Sequence, residues 1–146
     1  MYNMTKVAQV LQDKSEQTIF TIRPDSTVFE AIKLMAEKGI GALVVTDNER
    51  VVGIVSERDY TRKIALMERT SFTTNVSEIM TATVLTVTTG TTVEDCLELM
   101  TARHLRHLPV VENEQLIGLI SIGDLVKAAM ADQKNLIDQL QQYISG

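Results

Sequence analysis

Apolar and polar residues alternate over residues 18–22, "TIFTI", and again over 83–87, "TVLTV"; a period of two marks a short, half-buried strand. After each stretch the period changes. Val28, Ala31, Ile32 and Met35 recur at i, i+3, i+4 and i+7, as do Val93, Cys96, Leu97 and Met100, so each set predicts an amphipathic helix with one buried face. Thr27 with Glu30, and Thr92 with Asp95, have the spacing of capping boxes at those helix starts, and Gly39 stands where a C-cap ends the first helix. Two apolar strands follow in each half: "ALVVTDNERVVGIVS", joined at Asp47 and Asn48, and "LPVVENEQLIGLIS", joined at Glu112 and Asn113. Both predict hairpins or closely neighbouring strands. Beyond Ser56 and Ser121 the pattern turns helical again.

The two halves are copies. Residues 18 to 60 align with 83 to 125 without a gap at an offset of 65, with identities that include Thr27/Thr92, Val28/Val93, Met35/Met100, Leu43/Leu108, Val45/Val110, Gly53/Gly118, Ser56/Ser121 and Asp59/Asp124. "TNVSEIM", 74–80, opens the second copy as "TKVAQVL", 5–11, opens the first, which carries four extra residues before its strand. The expected organisation is one unit over 5–66, a linker over 67–75, a second unit over 76–130, and a C-terminal helical extension over 131–146. The fold class is α/β (α+β): two pseudo-symmetric βαββα units, each too small to bury both faces of its own sheet, packed sheet to sheet. Ile122, Leu125, Val126, Ala129, Leu136, Ile137, Leu140 and Tyr143 continue a helical stripe well past the end of the repeat, with no equivalent in the first half. That stripe fits either packing against its own domain or a symmetric dimer.

The chain has 146 residues, 45% hydrophobic and 23% charged, which suits an ordinary globular protein. Its net charge of −5 argues against non-specific nucleic-acid binding, which needs a basic surface, but leaves room for a local basic pocket. No apolar run approaches the roughly 20 residues that span a bilayer, and the start has no basic segment leading into an uninterrupted apolar one. A cytoplasmic protein without membrane or nucleic-acid partners is expected. The single Cys96, at an apolar helical position, reads as an inert core thiol. His104 and His107 are spaced i, i+3 but have no third Cys or His nearby, so no metal site is expected. The motifs of dinucleotide folds, phosphate-binding loops, zinc proteases and serine hydrolases are absent, and no enzyme is expected.

What recurs most strictly is "GIVSERD" against "GLISIGD", where Gly, Ser and Asp keep their places. One reading of Ser-x-x-Asp is a helix N-terminus, with the hydroxyl capping an amide and the carboxylate near the positive end of the dipole. Another is a carboxylate at a sheet edge accepting hydrogen bonds from two vicinal hydroxyls. The two are compatible, because a carboxylate has two oxygens. Gly53 and Gly118 permit close backbone approach, or mark a bulge.

The doubled pattern, with its Thr-Val helix starts, "LPVV" strand and Gly-h-h-Ser-x-x-Asp endings, resembles a tandem CBS-domain pair, or Bateman module, over nearly the whole chain. More narrowly it looks like the small stand-alone bacterial CBS-pair proteins. The resemblance implies two clefts that bind adenosine nucleotides (AMP, ATP, or NAD and NADH), with Ser56, Asp59, Ser121 and Asp124 taking riboses. Phosphates then need cations, and the clusters "ERDYTRK" and "RHLRH" supply Arg58, Arg62, Arg103, Arg106 and His107. By the same resemblance Ile40, Ala42, Val44, His107 and Pro109 surround the adenine. It further implies a homodimer that signals energy or redox state to a regulated protein. Arg106, His107 and Pro109 stand opposite Gly41, Ala42 and Val44, and Arg58 opposite Gly123, so the two sites should differ in affinity or ligand. The rival reading is a ligand-independent interaction or dimerisation module.

Overall fold

In a computed structural model that describes residues 4–14 and 18–145, the elements run α1 (Val7–Asp13), β1 (Thr21–Ile22), α2 (Val28–Lys38), β2 (Ala42–Asp47), β3 (Arg50–Ser56) and α3 (Glu57–Tyr60). A π turn (Thr61–Ala65) and a 3-10 turn (Val76–Glu78) lead to α4 (Val93–Arg103), β4 (His107–Glu112), β5 (Gln115–Ser121) and the long α5 (Ile122–Ser145). The helices start where the apolar spacing places them. Thr27 and Thr92 each accept a hydrogen bond from the amide three residues on, at Glu30 and Asp95. Gly39 ends α2 in the left-handed region at φ 65°, and His104, its equivalent, ends α4 in the same conformation at φ 55°. Both hairpins turn on two residues of positive φ, Asn48 with Glu49 and Asn113 with Glu114, the combination whose twist matches that of the flanking strands.

The first expected strand of each copy is shorter than its alternation suggests. β1 keeps only Thr21 and Ile22, parallel to Val44 and Val45 of β2. In the second copy a single parallel bridge joins Val87 to Val110. Both stretches cross a boundary between compact units. One unit gathers the described parts of Met1–Thr18, Thr86–Asn113 and Ile117–Gly146; the other gathers Ile19–Leu85 with Glu114–Leu116. In the first run the boundary follows Thr18, and in the second it follows Leu85, so that only Thr86 and Val87 of the second run lie in the unit of their own hairpin.

This division also decides where the opening segments go. "TKVAQVL" packs with the second repeat and "TNVSEIM" with the first, by matching bonds. Thr74 O accepts from Val28 N, and Ser26 O from Val76 N; Thr5 O accepts from Val93 N, and Thr91 O from Val7 N. Helices α2 and α4 thus each have their first free amide satisfied by a segment remote in sequence. The stretch before "TNVSEIM" is folded as well: Phe29 N donates to Ser71 O, and the Phe29 and Phe72 rings stack at 4.6 Å.

In the first-repeat unit Ile22, Val28, Ala31, Met35, Leu43, Val45, Val55, Ile64, Val76 and Ile79 form one buried cluster. In the other unit Val7, Val10, Val93, Cys96, Met100, Leu108, Val110 and Ile120 are buried at the corresponding positions. Burial, helped by the Asp95 charge, pushes the Cys96 thiol up to about 11, so it is a neutral packing group as its place in the helix predicts. Among the described residues no helix is long and apolar enough to cross a membrane.

Close approach explains the repeated glycine. A Cβ on Gly53 would lie 2.5 Å from Met80 Sδ and 3.0 Å from the Thr81 carbonyl oxygen; one on Gly118 would lie 2.6 Å from Leu11 Cδ2. Met80 and Leu11 are the last residues of the two equivalent opening segments. The pairing of β2 with β3 also shifts register beside Gly53, between Val45 and Thr46, so a bulge and a close approach coincide. Gly53→Ala should destabilise the protein by about 1–3 kcal/mol, the usual cost of overpacking, because the Thr81 main chain is bonded to Ile54 in both directions. Gly118→Ala should cost less, since it meets only a side chain that can rotate. Denaturant unfolding of the two variants checks the order.

Candidate functional site

Each Ser-x-x-Asp forms at the junction of a strand and a helix. In the first-repeat unit Ser56 ends β3 and caps α3: Asp59 N donates to Ser56 Oγ at 3.1 Å, while Ser56 N and Oγ donate to Asp59 Oδ2 at 3.0 and 3.1 Å. Ser121 and Asp124 repeat the box at the start of α5, with Ser121 N to Asp124 Oδ2 at 2.9 Å and Asp124 N to Ser121 Oγ at 3.1 Å. Oδ1 of each Asp stays outside its box. The capping reading of the motif is therefore the geometry observed, and it holds each carboxylate in one orientation with an oxygen to spare.

A lysine faces each carboxylate, and the two come from different places. Lys63, one turn along from Asp59, has its Nζ 3.6 Å from Asp59 Oδ1 and donates to the Ile79 carbonyl at 2.8 Å. Lys14, which follows α1, donates at 2.8 Å to Asp124 Oδ2 and at 2.8 Å to the Leu119 carbonyl. Burial raises the pKa of the Asp124 carboxyl, but the bonds from Lys14 and the Ser121 amide, the Lys14 charge and the Ser121 hydroxyl outweigh it, and the net shift is downward. His107 in β4 lies in the same field: burial, then the Lys14 charge, lower its pKa against the opposing pull of Asp124, and Arg106 lowers it further. Its imidazole is neutral at pH 7, so it offers hydrogen bonds rather than charge.

The other expected site residues divide between the units. Ile40, Ala42, Val44, Arg58 and Arg62 lie with Asp59; Arg103, Arg106, His107 and Pro109 lie with Asp124. Ala42 is directly across from Ser56 in the β2–β3 ladder, and Gly41 O accepts from Glu57 N. The matching bond in the other unit runs from Ile122 N to Arg106 O. The side chains of Ala42 and Val44 are buried, on the strand face opposite Leu43 and Val45. Arg58, Arg62, Arg103 and Arg106 are exposed and have no ion pair among the described residues, whereas Arg23 and Arg69 are paired with Asp25 and Glu78. Lys14 is the site residue that no motif marked. The one trace of it in the sequence is the four-residue surplus in the first opening segment.

No cluster of three or more His, Cys, Asp or Glu suited to a metal occurs among the described residues.

The CBS domain family model matches residues 8–66 and 76–131. A mitochondrial CBS domain-containing protein of Arabidopsis thaliana, CBSX3, is 35% identical over 99% of this chain and 74% of its own length. Among solved structures, a putative signal-transduction protein with CBS domains from Burkholderia ambifaria is 55% identical, with a TM-score of 0.84 over 88% of this chain and 96% of that one. The CBS domain pair of protein MJ0100, solved with 5′-methylthioadenosine and S-adenosyl-L-methionine, shares the fold at 21% identity, with a TM-score of 0.77 over 88% of this chain and 98% of its own. With two matched copies at the positions of the internal repeat, the chain belongs to the CBS-domain family as a tandem pair.

Proposed function

We propose that this CBS pair is a non-catalytic regulatory module that binds adenosine nucleotides, AMP, ATP or NAD and NADH, and signals energy or redox state to a protein it regulates. The observation that carries the reading is the doubled capping box. At the end of a strand, in both units, a half-buried carboxylate is oriented by its own serine with Oδ1 outside the box. Such a group suits the vicinal diol of a ribose, as acidic residues do in dinucleotide-binding folds. The exposed Arg58, Arg62, Arg103 and Arg106, without an ion pair among the described residues, are the cations for phosphate, and neutral His107 is a hydrogen-bond donor or acceptor beside them. Main chain around Ile40, Ala42, His107 and Pro109 reads the adenine edge. The adenosine compounds bound by the MJ0100 pair support this ligand class.

The uncovered face of α5 favours self-association besides. Leu125 is buried, yet Ile137, Leu140 and Tyr143 are 47%, 53% and 87% exposed along the same stripe. A homodimer formed through this face would serve a ligand-sensing module and a purely interacting one alike.

Calorimetric and thermal-shift titration against AMP, ADP, ATP, NAD, NADH and S-adenosylmethionine tests the first reading. A ligand that binds only the folded state raises Tm. Asp59→Ala and Asp124→Ala should each remove one binding event while leaving the protein folded; unchanged titrations in both would discard the ribose assignment. A flat response to all six compounds would favour the interaction module.

The depressed pKa of Asp124 sets a pH dependence. Its folded value lies below the ordinary 3.8, so its stabilising contribution is complete above the unfolded value and disappears as pH falls through the folded one. Binding at Asp124 should hold steady from about pH 7 to about pH 5 and fail only below about pH 4, which titrations across that range would show.

For the dimer, sedimentation equilibrium should give twice the chain mass for the natural protein and a single chain mass for Ile137→Asp/Leu140→Asp, with circular dichroism confirming that the variant is folded.

A further inference from the structure

The two carboxylates are not equally available. Among the described residues Asp59 Oδ2 accepts from neutral donors, the Ser56 amide and hydroxyl, and its lysine stands 3.6 Å from the other oxygen with 46% of its side chain exposed. Asp124 Oδ2 accepts the Ser121 amide and, at 2.8 Å, the Lys14 ammonium, whose side chain is 25% exposed. A charged N–H donor makes a shorter and roughly twofold stronger bond than a neutral one. A ligand diol that engages both carboxylate oxygens meets the Ser56 hydroxyl on Oδ2 and the more distant Lys63 at Oδ1 of Asp59, but has to displace a directly bonded ammonium from Oδ2 of Asp124.

We infer that Lys14 is a specificity-determining residue of the Asp124 site: its ammonium competes with ligand hydroxyls for Oδ2, so Asp59 fills first and Asp124 fills only when Lys14 withdraws. This rests on the reading of both aspartates as diol acceptors. Withdrawal has a structural consequence. Lys14 is the residue that ends α1, with its own amide bonded to Leu11 O. The start of that segment is held separately, by the Lys6–Thr92 bridge and by Thr5 Oγ1 on the Asp132 carboxylate of α5. Filling Asp124 therefore removes one of the bonds at the end of α1, where Leu11 also lies against Gly118, and so links occupancy of this site to the opening segment 5–11; at the Asp59 site the matching link is the bond from Lys63 to Ile79 O in the segment 74–80.

The test is calorimetric titration with AMP, ATP, NAD and S-adenosylmethionine in an Asp59→Ala background, where only the Asp124 site reports. Lys14→Met should bind on the order of fivefold more tightly, the scale on which a half-buried ion pair contributes. Lys14→Gln should tighten similarly if the charge is what competes, and Lys14→Arg, which keeps the charge, should match the parent. In an Asp124→Ala background Lys14→Met should change nothing. Equal or weaker binding by both Lys14→Met and Lys14→Gln, with Asp124→Ala still abolishing binding at its site, overturns the inference and leaves the diol reading standing. No binding of any of the four compounds, or binding indifferent to Asp124→Ala, overturns the diol reading and the inference with it.

Discussion

The 11-residue helices α2 and α4 each begin with an amide that its own sequence neighbourhood does not satisfy. Val28 N is taken by Thr74 O and Val93 N by Thr5 O, and the return bonds, Val76 N to Ser26 O and Val7 N to Thr91 O, close a two-way clasp in each unit. A buried helix start cannot leave such groups unpaired without losing roughly the desolvation cost of each. The apolar residues that follow the clasp, Val7 and Val10 or Val76 and Ile79, are then delivered to the core. The glycines at 53 and 118 follow from the same constraint, since the end of each docked segment, Met80 or Leu11, lies where their Cβ would be. The opening segment over 5–11 is thereby part of the second repeat's fold.

The candidate sites lie at the other end of the hairpins from their tight turns. There a strand stops, a helix starts, and one Ser-x-x-Asp box serves both the fold and the proposed chemistry. Capping uses Oδ2 and fixes the carboxylate plane. Because the box is local, it forms alike in both units, and the differences arise from what approaches afterwards. Lys63 arrives from the same helical stretch, through the π turn after α3. Lys14 arrives from the opening segment and reaches the Leu119 carbonyl as well as Asp124. A duplicated motif thus becomes two unlike environments, and the neutral His107 is one outcome of the second.

How far these features were legible depended on the range of the interactions behind them. The helices, their threonine caps and the left-handed end at Gly39 follow from contacts within four residues, and the spacing of Val28, Ala31 and Met35 carries them directly. His104 shows the limit of residue type as a guide: it adopts the left-handed conformation of Gly39 because of its place in the repeat. The alternation in "TVLTV" suggested a longer strand than the single bridge at Val87, because alternation reports two-sidedness and cannot report that half the run belongs to another unit.

The sequence by itself determined the duplication, the order of elements in each copy, the residues of both cores and the paired Ser-Asp boxes, since all of these rest on periodicity or on bonds between near neighbours. Tertiary structure decided which opening segment docks on which repeat. "TKVAQVL" and "TNVSEIM" present equivalent residues to equivalent acceptors, so nothing in their patterns distinguishes one destination from the other. That choice places Lys14 on Asp124, 110 residues away, and makes two sites with the same motif electrostatically different.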